Sequence, residues 1–98
     1  MEKLKPHYNL SVIKTMIEEG KVCSTLTALT GGARLGLDFA EIVAVVSKLK
    51  SSDFYKSMTT HTNSKVWQDV YRPKTKAGNI YLKITITNDV LIVSFKEL

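Results

Sequence analysis

The stretch from Tyr81 to Lys96 reads Tyr-Leu-Lys-Ile-Thr-Ile-Thr-Asn-Asp-Val-Leu-Ile-Val-Ser-Phe-Lys, two alternating runs on either side of Asn88-Asp89. Alternation of this kind belongs to strands with one buried face, and Asn-Asp suits a two-residue turn in which both positions take positive φ. Such a turn sets Thr87 opposite Val90 and carries the ladder back to Tyr81 opposite Lys96. Side chains alternate across a sheet with period two. The expected core face is therefore Ile80, Leu82, Ile84 and Ile86 against Leu91, Val93 and Phe95. The expected outer face is Tyr81, Lys83 and Thr85 against Ile92, Ser94 and Lys96. A phenol and two ammonium groups then gather at the open end of a rigid hairpin, an arrangement suited to holding a phosphodiester.

The rest of the chain divides into helices followed by strands. Asn9 is an N-cap for a helix from Leu10 to about Glu19, with Leu10, Ile13, Met16 and Ile17 as its apolar stripe and Gly20 as its stop. Lys21 to Thr25 is extended. Leu26 to Leu35 is helical but interrupted at Gly31-Gly32. Asp38-Phe-Ala-Glu41 is a capping box that opens a buried helix with Ile42, Val43, Val45, Val46 and Leu49. Strands are expected over Phe54–Thr60 and Val66–Arg72, joined by a turn at 61–65. A basic loop at 73–79 leads into the closing hairpin. Helices first and consecutive strands after predict an α+β fold, with N-terminal helices packed on a C-terminal antiparallel sheet.

At 98 residues the chain is expected to be a single domain, 1–98, with a real hydrophobic core. No apolar run approaches the ~20 residues that span a bilayer, and no signal region follows the first residues, so a cytoplasmic location without a membrane is expected. The one cysteine, Cys23, excludes an internal disulfide and a cysteine-type zinc site, and is expected to be an inert buried thiol. No metal set and no cofactor motif is recognisable. The net charge of +5 is uneven. Residues 1–53 hold seven Lys/Arg and six Asp/Glu, and residues 54–98 hold seven and three, so the excess moves from +1 to +4. A polyanionic partner, nucleic acid or acidic protein, fits that imbalance; so does a basic surface that only keeps the chain soluble.

Metal-free RNA cleavage uses the 2′-hydroxyl as nucleophile and needs a proton acceptor, a proton donor and cations around the phosphorus. Lys56, Gln68, Arg72, Tyr81, Lys83 and Lys96 all come from the strand half. Lys83 is diagonal to Lys96, close enough for like charges to lower each other's pKa and free one lysine to shuttle a proton. Exposed positions on an amphipathic sheet would give the same pattern. His7 and His61 lack an acidic orienter and are read as surface residues. Trp67, Tyr71 and Tyr55 are candidates for stacking on bases, although strand aromatics more often pack. Asp69 is a candidate ion-pair partner for Arg72 or Lys65.

Three long motifs carry a resemblance: Asp53-Phe-Tyr-Lys-Ser-Met-Thr-Thr60, Trp67-Gln-Asp-Val-Tyr-Arg-Pro73, and Tyr81-Leu-Lys-Ile-Thr85 through Asp89-Val-Leu-Ile-Val-Ser-Phe-Lys96. With Leu35-Gly-Leu-Asp-Phe39 and the opening Met1-Glu-Lys, they make the chain similar to the motility quorum-sensing regulator toxins over nearly its whole length. It departs from that pattern at 25–34, 40–50, 61–65 and 74–78. The resemblance implies a RelE-like toxin fold and a metal-independent, ribosome-independent endoribonuclease that cuts single-stranded mRNA at GCU-type sites. The family's functional lysine, glutamine, tyrosine and lysine fall on Lys56, Gln68, Tyr81 and Lys96. Arg72, Lys83, Lys74 and Lys76 are the accompanying RNA-binding candidates. The implied partner is a zinc-binding, helix-turn-helix antitoxin of the MqsA type, through which DNA is contacted only indirectly, and which is expected to bind away from the active cations. Two other classes remain: a non-catalytic nucleic-acid module, and a regulator acting only with an antitoxin in transcription, biofilm and quorum-sensing responses.

Overall fold

The computed structural model describes residues 1–98. Three helices, α1 (Leu10–Glu18), α2 (Leu26–Arg34) and α3 (Phe39–Ser47), cover one face of a sheet. The strands are β1 (Glu2–Lys3), β2 (Val22–Ser24), β3 (Phe54–Thr59), β4 (Trp67–Tyr71), β5 (Lys74–Thr75), β6 (Gly78–Ile86) and β7 (Val90–Glu97). Their order is β1-β3-β4-β6-β7-β2, with β5 paired to β6 off this path. The fold is α+β, as the order of elements predicts. The sheet is not wholly antiparallel, because β2 runs parallel to β7. A strand between two helices returns to the far edge in that sense, and β1 at the opposite edge is too short to leave a periodic signal.

Local chemistry accounts for the helix ends. The Asn9 side chain accepts from the Ser11 amide, and Gly20 takes φ +77° just past α1. Asp38 and Glu41 form both bonds of the capping box on α3. Thr25 caps α2 through the Ala28 amide. Gly31 and Gly32 do not interrupt α2. A Cβ on Gly31 would overlap the Phe95 carbonyl oxygen, and one on Gly32 would overlap the Ile42 side chain. The two glycines let α2 lie directly on β7 and against α3, and that close approach outweighs their poor helix propensity.

The core lies between the helices and the sheet. Ile13, Ala28, Ile42, Val46 and Leu49 meet Tyr71, Ile80, Leu82, Ile84, Val90, Ile92 and Phe95. The β7 residues differ from strict alternation. Ile92 is fully buried, whereas Leu91 and Val93 are only half-buried. The pairs Ile86–Val90, Thr85–Leu91 and Ile84–Ile92 give way to Lys83–Ser94, Leu82–Phe95 and Tyr81–Lys96. The turn therefore holds three residues, Thr87 to Asp89, instead of two. A β-bulge at Val93 then adds one residue to β7. The two shifts cancel, and Tyr81 stands opposite Lys96. No helix is long and apolar enough to cross a membrane.

Asp69 fastens the N-terminal segment to this frame. It is fully buried. Its Oδ1 accepts from the His7 amide at 3.0 Å and the Ser57 hydroxyl at 2.6 Å, and its Oδ2 accepts from the Tyr8 amide at 2.9 Å. It pairs with neither Arg72 nor Lys65; backbone donors sixty residues away hold it instead. Tyr71 is the reverse case. Its hydroxyl is buried with no hydrogen-bond partner, and burial, then the nearby Asp69, pushes its pKa up to about 12. Cys23, expected inside, is exposed on β2.

Asp69→Ala should lower unfolding free energy by about 2–4 kcal/mol in urea titrations, since several buried donors lose their acceptor. Tyr71→Phe should leave stability unchanged or raise it by up to about 1 kcal/mol, because no bond is lost and a buried orphan hydroxyl is removed. A large loss with Tyr71→Phe would mean that the phenol has a partner in solution.

Candidate active site

The face of the sheet opposite the helices carries the basic residues. Cross-strand partners point to the same side, so Lys56, Val70, Lys83 and Ser94 form one row through the pairings of β3, β4, β6 and β7. Tyr81 and Lys96 form the next outward row on β6 and β7. Gln68 lies two residues from Val70 on β4, opposite Met58, on the same side of the strand. Four strands thus direct Lys56, Gln68, Tyr81, Lys83 and Lys96 to one surface.

A second bulge makes this possible. β3 pairs Phe54 with Tyr71 and then Lys56 with Val70, leaving Tyr55 as the extra residue. Phe54 can therefore pack edge-on against Tyr71 at 5.5 Å between ring centroids while Lys56 points to the other side. Unbroken alternation would put both residues on one face. Val93 does the same for Phe95 and Lys96 relative to Ile92.

The cluster is centred on Tyr81. Lys96 Nζ lies 5.2 Å and Lys83 Nζ 5.8 Å from the Tyr81 ring centroid. Val70, fully buried between Lys56 and Lys83 in the row, gives the cations an apolar floor. Lys83 feels this most. Its pKa is lowered, first by burial and then by the charges of Lys96 and Lys56. Lys56 is different. It forms a 2.7 Å ion pair with Glu2 of β1, and the hydrogen bond to that carboxylate raises its pKa. Glu2 in turn is held below its ordinary value by Lys56. Different neighbours thus divide the lysines into a cation kept charged and a cation made easier to deprotonate. Glu2 left no signal in the sequence, because a two-residue strand has no period to read.

Arg72 stands at the margin, its guanidinium carbon 4.6 Å from the Tyr55 ring centroid. Lys74 and Lys76 are not part of the cluster; they sit on the β5–β6 hairpin and line a groove against α3. The aromatic candidates divide. Tyr71 is in the core and Tyr55 is 46% exposed. Trp67 is already covered, stacked on His7 at 5.2 Å and lying under Lys3 at 4.2 Å. Tyr71 and Trp67 are therefore not free to receive bases. His7 bonds Lys3 through Nδ1, and His61 is exposed in the β3–β4 turn. No three His, Cys, Asp or Glu side chains are gathered as a metal-holding set. Such a surface presents several ammonium groups, a phenol and an amide to one anion, with the ammonium form of one lysine disfavoured by its surroundings.

The chain is similar over nearly its whole length to proteins of one family. The family model described as the motility quorum-sensing regulator, toxin of MqsA, matches residues 5–97. The mRNA interferase toxin MqsR of Escherichia coli (strain K12) is 53% identical over 97 residues, covering 99% of this chain and 99% of that protein.

As pH rises, Lys83 should lose its proton before an ordinary lysine does, and Lys56 after one. Heteronuclear NMR titration of the lysine side chains should resolve this order. Glu2→Gln should lower the Lys56 pKa, because the partner that favours the charged form is gone. An unchanged Lys56 titration in that variant would show that the ion pair does not persist in solution.

Proposed function

The chain belongs to the motility quorum-sensing regulator toxin family, and on that premise we propose that it is an mRNA interferase, an endoribonuclease toxin that arrests translation and growth. The observation that carries the reading is the convergence of Lys56, Lys83 and Lys96 around Tyr81 on an open face, with Lys83 depressed in pKa and Lys56 raised. The substrate is single-stranded mRNA, cut without the ribosome and without a metal at GCU-type sites. The whole chain, 1–98, acts as one RelE-like toxin domain in the cytoplasm, where its substrate is found. A zinc-binding helix-turn-helix antitoxin neutralises it from a surface away from the cations and is its only route to DNA.

The roles follow from the charges. Neutral Lys83 accepts the proton of the 2′-hydroxyl. The 2′-oxygen attacks phosphorus, the P–O5′ bond breaks, and the products are a 2′,3′-cyclic phosphate and a 5′-hydroxyl. Tyr81 gives the proton that the 5′-oxygen takes up. Lys56 and Lys96 offset the charge on the phosphorane, and their effect is greatest where that charge develops. The Gln68 amide contacts a phosphate oxygen or a base edge. Arg72, Lys74 and Lys76 bind RNA beyond the reacting phosphate.

Purified protein should cleave a mixed-sequence RNA in EDTA to those ends. Lys96→Ala should cost roughly 10²–10³ in single-turnover rate. Lys83→Arg keeps the positive charge but cannot deprotonate, and should cost about 10²–10⁴. The active form of Lys83 is neutral, so the rate should rise with pH through its lowered pKa, below the ordinary lysine value of 10.5. That limb should vanish in Lys83→Arg. His7→Ala and His61→Ala should retain most activity. Loss confined to a histidine variant or to chelated samples would sink this mechanism, and binding without cleavage would leave only a non-catalytic module.

A further inference from the structure

A groove of about 820 Å³ lies away from Tyr81, between α3 and the β5–β6 hairpin. Leu37, Ala44, Val45 and Ala77 give it an apolar lining. Lys48 and Lys50, just past the end of α3, form one wall, and Arg72, Lys74 and Lys76 the other. All five cations are exposed. None of them has an ion-pair partner, since the two salt bridges of the structure are Lys21–Glu19 and Lys56–Glu2. The two acids of the groove are already engaged. Glu41 accepts from the Asp38 amide at 3.1 Å, and Asp53 accepts from the Lys50 amide at 2.9 Å.

The groove is not isolated from the cation cluster. A second, shallower depression of about 330 Å³ shares Ser52, Asp53, Arg72 and Lys74 with it and extends to Tyr55, Asn79 and Leu98. Arg72 belongs to both, with its guanidinium over the Tyr55 ring. Tyr55 is the bulged residue next to Lys56. A continuous positive track therefore leads from Lys56, past Tyr55 and Arg72, into the α3 groove. Unpaired cations along a groove match a chain with a charge at every step better than they match a compact anion. An acidic protein segment would also meet the charge. The continuity with the candidate phosphodiester site favours RNA, because the strand that leaves the reacting phosphate must run somewhere along this face.

We propose that the α3 groove is a second RNA-binding site, which holds the single-stranded RNA flanking the cleaved bond and takes its phosphates on Lys48, Lys50, Lys74 and Lys76. This rests on the ribonuclease reading and extends it to substrate length. Short RNA reaches the Tyr81 cluster alone; longer RNA gains the groove. Lys48 and Lys50 distinguish the idea, because they stand on the helical side of the molecule and touch nothing in the cluster.

The test uses 2′-O-methyl RNAs of five and twelve nucleotides, which lack the nucleophile, in fluorescence anisotropy over a salt series. Wild type should bind the longer RNA more tightly. The Lys48→Ala/Lys50→Ala double variant should narrow that length advantage about tenfold, and its salt slope on the longer RNA should be shallower by about 1.4, the value for two phosphate contacts on a single strand. Circular dichroism and thermal melting should confirm that this surface variant is folded. An unchanged length advantage, or an equal loss on both RNAs, would overturn the proposal. So would an effect restricted to binding a copurified antitoxin, which would make the groove a protein contact. Cleavage of an unmodified twelve-nucleotide RNA by wild type is measured alongside. Cleavage without a length effect removes the groove alone, whereas a length effect without cleavage removes the nuclease reading and keeps the groove.

Discussion

Asp69 carries three hydrogen bonds from inside the protein, two of them from the amides of His7 and Tyr8. Buried polar groups are costly unless each finds a partner. Here the partners come from a segment that has no helix and only a two-residue strand to hold it. With those amides fixed, the Tyr8 hydroxyl reaches Thr85 at 3.0 Å, and β1 lies along β3 with Glu2 opposite Met58. The Glu2 carboxylate then meets Lys56. A single residue in the middle of the sheet thus helps to fix where the first nine residues run, and through them the ion-pair partner of a lysine on the opposite face.

The open face shows how one residue type is given different properties by its surroundings. Lys56 and Lys83 are in the same row, with Val70 between them. Lys56 has an acid beside it, while Lys83 has an apolar floor and two like charges. The first neighbourhood favours the ammonium form and the second disfavours it. Position on the sheet, not the side chain itself, separates a lysine held in its ammonium form from one whose ammonium form is disfavoured.

Much of this was legible in the sequence. Asn9 and the Asp38–Glu41 box marked the starts of α1 and α3, because capping is local chemistry. Tyr81 opposite Lys96 was legible too, but by a path that differs from the real one. The sequence reads as a two-residue turn with unbroken alternation, and the structure has a three-residue turn and a bulge. Nothing in Val93 distinguishes a bulge from a core position, so Ile92 was assigned to the wrong face and Val93 to the core. Gly31-Gly32 read as a break because propensity is a one-dimensional property, whereas the contact that uses the glycines lies on β7 and α3. The Glu2–Lys56 pair and the bonds of Asp69 to the His7 and Tyr8 amides join residues more than fifty apart, and no local pattern records such a contact. The Lys48–Lys50 wall was hidden for the same reason, since it meets Lys74 and Lys76 only after folding.

The bulges at Tyr55 and Val93 have a consequence for how this protein can change. Each supplies one residue that the pairing skips. A substitution at either position leaves every pair in place. So does its loss: without the residue at 93, Ile92 and Ser94 become consecutive partners of Ile84 and Lys83, and Phe95 still faces the core. A further loss has no such slack, and a one-step slip exchanges every inward side chain for an outward one. Each bulge is therefore a single residue of tolerance within its strand, and beyond it changes of length fall to the connections that the sheet does not count.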